Sequence, residues 1–158
     1  VEVLKQMYDV ASLIQEMDDF ELVKETYSKT LKTEIAYRGE YLTEKDCLID
    51  TIRTAQSIAS HGKLNGDEYM NLQEGARGLG SFIFSENFNP EVAAKRAPIV
   101  MYFASCLLEG KGFEKYDGEP QALRTCSHTE FKAFNFLRKL SPEAYYYICK
   151  TDEILKTI

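Results

Sequence analysis

Apolar residues recur along this chain at steps of three and four, and that period constrains its fold more than any other feature. Val3, Met7, Val10, Ile14 and Met17 mark one stripe, and Phe20, Val23, Tyr27, Leu31 and Ile35 a second. Such steps return to one side of a helix with about 3.6 residues per turn, whereas a strand returns to one face every second residue. No stretch of this sequence sustains a period of two.

Helix punctuation falls between the stripes. Asp18 and Asp19 break and recap the chain, and Gly39, behind Arg38, stands where a left-handed C-terminal cap belongs. Thr43 and Asp46 make a capping box, with Asp in place of the usual Glu, ahead of a helix turning Leu48, Ile52, Ala55 and Ala59 inward and ending at His61 and Gly62. Asn65 and Gly66 open a fourth helix bearing Tyr69, Leu72, Ala76, Leu79 and Ile83. Its Gly75, Gly78 and Gly80 imply close approach of a neighbouring backbone or a bend of the helix there. Asn89-Pro90-Glu91 is a strong restart. Pro98 is expected to interrupt the helix that follows, and the nearly all-apolar run Ile99 to Leu108 to be its most buried part. Breakers from Gly110 to Pro120 mark one long loop. Ser127 with Glu130 reads as a capping box for a helix carrying Phe131, Phe134, Phe136, Leu137 and Leu140. Ser141 and Pro142 start a last helix, with Tyr147, Ile148, Ile154, Leu155 and Ile158. The pattern predicts an all-α fold: one domain spanning residues 1–158, a compact bundle of six or seven helices.

Composition narrows the class of function. The chain has 158 residues, 44% hydrophobic and 28% charged, as expected of a globular domain rather than a disordered one. Its formal charge of −6 lacks the basic surplus usual in nucleic-acid binders. Cys47, Cys106, Cys126 and Cys149 are widely spaced, with no Cys-x-x-Cys, which fits reduced, packed thiols in a cytoplasmic protein better than a disulfide scaffold. No apolar run approaches the roughly 18 residues that span a bilayer, and no signal peptide is visible. The expected localisation is cytoplasmic, with no membrane association.

Catalytic and metal-binding patterns are not found. Cys47 and His61 stand at opposite ends of one predicted helix, about 20 Å apart by its rise, so they cannot share an ion. Cys126 and His128 are close in sequence, but a Cys–His nucleophile pair is assembled from distant segments. Neither a Glu-x-x-His pair nor a phosphate-binding glycine loop occurs. The chain therefore reads as a non-enzymatic protein with no metal and no cofactor. Tyr145, Tyr146 and Tyr147 are consecutive and thus about 100° apart around a helix, so at least one is expected to be exposed or covered by a partner; Tyr146 is the candidate.

One segment adds a sharper expectation. Leu72-Gln73-Glu74-Gly75-Ala76-Arg77-Gly78-Leu79, followed by Phe88-Asn89-Pro90-Glu91, resembles the second conserved region of RNA polymerase sigma factors, including the diverged late sigma factors of tailed phages. The resemblance covers roughly residues 50–115. It implies that Gln73, Glu74 and Arg77 face the polymerase clamp helices, that Tyr102 and Phe103 lie near melted DNA, and that Lys95 and Arg96 help hold the phosphates. Residues 97–109 contain no Lys or Arg, so the remaining basic help comes from Lys111 and Lys115. The family's tryptophans and its helix-turn-helix region have no counterpart here. DNA is thus a partner only as far as this resemblance reaches. A protein partner, RNA polymerase or another host factor, is the broader expectation. Two alternatives stand beside it: an acidic phage or mobile-element protein that binds and inhibits a host factor, and a structural subunit that self-associates through the stripe of the first helix.

Overall fold

The structure, a computed structural model, describes residues 2–39, 41–79, 89–118 and 126–155; of Glu2 and of residues 74–79 it describes the backbone alone. Among the described residues there is no strand. The elements are α1 (Glu2–Glu16), α2 (Phe20–Arg38), α3 (Glu44–Ala59), α4 (Gly66–Leu79), α5 (Pro90–Glu109), a 3-10 helix (Thr129–Phe134), α6 (Leu137–Leu140) and α7 (Pro142–Ile154). The all-α bundle expected from the periodicity is the fold observed.

Local chemistry sets the helix boundaries. The Asp19 carboxylate accepts from the Leu22 amide at the start of α2, and Gly39 closes that helix at φ +63°. Thr43 and Asp46 form the reciprocal capping box of α3. Asn89 accepts from the Glu91 and Val92 amides ahead of Pro90, and the Ser141 hydroxyl accepts from Ala144 ahead of Pro142.

The core is organised around α5, which packs most extensively on α3 and then on α7 and α1. Every residue from Ala97 to Cys106 is buried, while Leu107 and Leu108 are only half-buried. Pro98 does not interrupt α5. It removes one backbone donor, at a cost of about 3 kcal/mol in an isolated helix, but the packed neighbours of this central helix outweigh that loss. Alanines 55, 59, 93, 94 and 97, all buried, let the α3 and α5 backbones approach closely.

Two expected details are corrected. In α1 the buried stripe is Leu4, Met7, Ala11 and Ile14, while Val3 and Val10 face outward. Ser127 and Glu130 do not make a capping box: Glu130 lies in a 3-10 helix whose N-cap, His128, makes no side-chain cap bond. The Ser127 hydroxyl is taken by Asp152 instead, at 3.1 Å. The expectations at Gly75, Gly78, Gly80, Ile83, Phe88, Pro120 and Ile158 lie outside the described residues or side chains. No helix among the described residues is long and apolar enough to cross a membrane.

Candidate functional site

The residues expected to meet a partner do not form one surface. Gln73 is half-buried on α4; the side chains of Glu74 and Arg77 lie outside those described. Lys95 is held 2.9 Å from Glu91, one turn away on α5. Arg96 donates to the Gln15 side chain at 2.9 Å and lies over the Tyr8 ring. Lys115 donates to the Gln15 carbonyl at 2.7 Å, a cation placed where the last carbonyls of α1 leave partial negative charge. Arg96 and Lys115 thus converge on the C-terminal end of α1. Tyr102 and Phe103 are core residues, 1% and 8% exposed. The Tyr102 ring stacks on Phe113 and Tyr147, and Phe103 meets the edge of Phe20. In this conformation neither ring is available to stack on a base, and they share no solvent-facing surface with the basic residues.

The expectation that one of the three consecutive tyrosines is exposed is also corrected: Tyr145, Tyr146 and Tyr147 are all buried. The reason is that α7 is walled on several sides. Tyr147 faces α5 and Phe113, and its hydroxyl accepts from the Tyr116 amide at 3.0 Å. Tyr146 donates to the Glu114 carbonyl at 3.1 Å beneath the segment 111–118. Tyr145 lies by Cys126 and Cys149 under the Arg138 guanidinium. Burial pushes the Tyr147 phenol up to about 12, so it stays neutral over the physiological range. The expected long loop is therefore a strap clipped to the core by tyrosine hydroxyls.

His128 and Cys126 do not assemble a nucleophile pair. The His128 Nδ1 lies 2.8 Å from Asp152, whose carboxylate also accepts from the backbone amides of Ser127 and His128. Cys126 is hydrogen-bonded instead to Cys149, which lowers the Cys149 thiol, while that bond and burial raise the Cys126 thiol. The four cysteines are free thiols, and no group of three or more His, Cys, Asp and Glu able to hold a metal occurs among the described residues.

The feature that the sequence did not announce lies on α3. A cleft of about 770 Å³ opens beside this helix, with an apolar wall of Leu48, Ile52, Leu107, Leu108 and Leu155. Lys45 and Arg53 border it, as do Glu44 and Glu109. Gln56 borders it too, is 2% exposed, and its amide nitrogen has no hydrogen-bond partner. Its neighbour fixes its orientation. Asn65, in the left-handed turn after α3 at φ +50°, donates from Nδ2 to the Arg53 carbonyl at 3.1 Å and to Gln56 Oε1 at 3.3 Å. A carbonyl only accepts, so the Asn65 atom there must be nitrogen and the Gln56 atom facing it must be oxygen. The two Gln56 N–H donors are left over. An unsatisfied buried amide costs about 1–3 kcal/mol, which makes it a site to explain. Gln56 sits four residues beyond Ile52 on the stripe of Leu48 and Ile52, and a polar residue at a core-facing position was the signal available in the sequence.

No family model matches this chain, and neither a curated protein nor a solved structure matches it.

Proposed function

We propose that this chain is a non-catalytic helical interaction domain that docks a protein partner through the outer side of α2 and the connection to α3. The observation that carries this reading is α2 itself. Its nineteen residues include none that is fully buried, and of its apolar stripe Phe20, Val23 and Tyr27 are only half-buried against the core. Leu22, Tyr37, Tyr41 and Leu42 are 60%, 88%, 103% and 47% exposed. Half-buried Leu31 and Ile35 line, with Tyr41 and Leu42, a depression of about 510 Å³. Single exposed apolar residues are ordinary; Tyr37, Tyr41 and Leu42 gathered at the end of α2 and just after it, with Leu22 near its start, support an interaction surface. Most helical stability in a protein comes from packing an apolar face, and α2 packs only one side of its first half on the core. Here its caps and the ion pairs Glu21–Lys24, Glu25–Lys29 and Glu34–Arg38 support it, each worth only a few tenths of a kcal/mol. A partner laid along the outer side would cover Leu22 and Tyr37, which the core leaves exposed.

Photo-crosslinking in cells tests this. A crosslinking amino acid at Tyr37 or Leu22 should yield one discrete protein adduct, and the same probe at Lys132 none. Equal labelling at the three positions ends the reading. RNA polymerase, the partner implied by the sigma-like segment, is tested by pull-down of the purified core enzyme: binding weakened by Gln73→Ala supports that version, and no binding removes it while leaving another host factor.

Self-association is the second reading, favoured by Val3, Val10 and Leu13, which are exposed together on α1. Light scattering that finds a monomer at micromolar concentration removes it.

A further inference from the structure

We propose that the cleft beside α3 is a binding site for a small alkyl carboxylate, its headgroup held by Arg53 and the unpaired Gln56 amide and its chain laid on the leucine wall. This inference is independent of docking through α2. Three observations meet in it. The cleft volume, about 770 Å³, lies within the range of about 300–1,000 Å³ usual for small-molecule sites. The Gln56 Nε2 donors are buried and unpaired, and the orientation imposed by Asn65 cannot be reversed without setting two donors against each other. Whatever completes this site therefore brings an acceptor.

The charge follows from Arg53. It stands one turn before Gln56 on α3, where positions three apart are neighbours, and it makes no ion pair or side-chain hydrogen bond to a described residue. Both side chains border the cleft, and a guanidinium with a primary amide offers N–H donors of the kind that the two oxygens of a carboxylate accept. Glu44, the acid at the start of α3, is engaged by the Ser28 hydroxyl at 3.1 Å and lies nine residues from Arg53, about 13 Å by helical rise, so it does not compete for the guanidinium. Glu109, the last residue of α5, borders the cleft from the other helix. Leu48, Ile52, Leu107, Leu108 and Leu155 line the cleft with Ile49, and an aliphatic chain on the ligand is the body that would cover them.

The test is a titration of the ¹⁵N-labelled protein with octanoate, followed at the Gln56 side-chain amide, with octanamide as the uncharged counterpart. The expected result is a saturable one-to-one shift of that signal, with the dissociation constant raised at least tenfold by Arg53→Gln and at least tenfold for octanamide. Gln56→Leu should abolish binding while keeping the backbone spectrum. If that variant does not fold, the Arg53→Gln and octanamide arms decide alone. No saturable shift at Gln56 overturns the proposal, as does binding that Arg53→Gln leaves unchanged. Octanamide binding as tightly as octanoate overturns the carboxylate assignment.

Discussion

The Asp152 carboxylate holds both the imidazole and the backbone of His128: Oδ1 is 2.8 Å from Nδ1 and accepts from the His128 amide at 2.9 Å. The other oxygen accepts from the Ser127 amide at 2.8 Å and from its hydroxyl at 3.1 Å. One side chain of α7 thus fixes the chain entering the 3-10 helix. Burial alone would raise the Asp152 carboxyl, but these hydrogen bonds outweigh it and hold the group below its ordinary range. A carboxyl lowered by folding contributes stability at every pH above its unfolded value of about 4, and that contribution is lost as pH falls through the lower folded value. Asp152→Asn should therefore cost about 1–3 kcal/mol at pH 7. Urea unfolding of the two proteins at pH 7 and at pH 2.5 checks this, with the difference shrinking at the lower pH.

The strap over α5 and α7 depends on phenol oxygens as acceptors. The Glu114 amide donates to the Tyr102 hydroxyl at 3.1 Å, and the Tyr116 amide to the Tyr147 hydroxyl at 3.0 Å. Tyr147→Phe keeps the ring stacked on Tyr102 and Phe113 but removes the acceptor of the Tyr116 amide. Hydrogen exchange at that amide should accelerate about tenfold, the equivalent of about 1.4 kcal/mol, with the amides of α3 unchanged. Equal acceleration in α3 would mean that the whole domain, and not the strap, had loosened.

Elements whose signals are local were legible in the sequence. The caps at Asp19, Thr43, Asn89 and Ser141 each act within three residues of themselves, and each is observed. What failed depended on distant neighbours. In α1, Val3 and Leu4, and again Val10 and Ala11, are adjacent apolar residues, so two stripes fit the same period; contact with α5 selects the one with Ala11. Ser127 has the right spacing for a capping box, yet Asp152, 25 residues away, takes its hydroxyl. The tyrosine triplet fails likewise, because a single helix considered alone has an exposed side and α7 is covered by three different segments. The cleft at Gln56 needs α3, α5 and Leu155 together, and only the misplaced polarity of Gln56 hinted at it.

The turn after α3 is intolerant of a side chain at Gly62. Its φ of +78° is a left-handed conformation, and a Cβ there would lie 2.6 Å from the Tyr69 ring and 2.9 Å from the Tyr69 Cβ. The second contact is with the root of the side chain, so a rotation of the ring alone does not relieve it. Gly62→Ala should cost about 2–4 kcal/mol, combining backbone strain with overpacking. Chemical denaturation measures it, and a cost below about 1 kcal/mol would show that α4 shifts freely against α3.

The two ends of α2 should respond oppositely to truncation. At its start, Phe20 meets the edge of Phe103 at 5.8 Å between ring centres and stacks near Phe113 at 6.1 Å, so this end is anchored in the core. Seventeen residues on, Tyr37 stands 88% exposed. Phe20→Ala removes aromatic contacts on two elements and should cost about 2–4 kcal/mol, less than a fully buried phenylalanine because the ring is half-buried. Tyr37→Ser removes little that the folded chain uses, so its effect should stay within about 0.5 kcal/mol. If the outer side of α2 is a docking surface, the same Tyr37→Ser change should weaken partner binding by tenfold or more, since a large aromatic side chain is a favoured anchor at an interface. Stability and binding then separate at one residue: a loss of folding stability at Tyr37 would mean that this end of α2 is packed, and an unchanged affinity would place the docking face elsewhere.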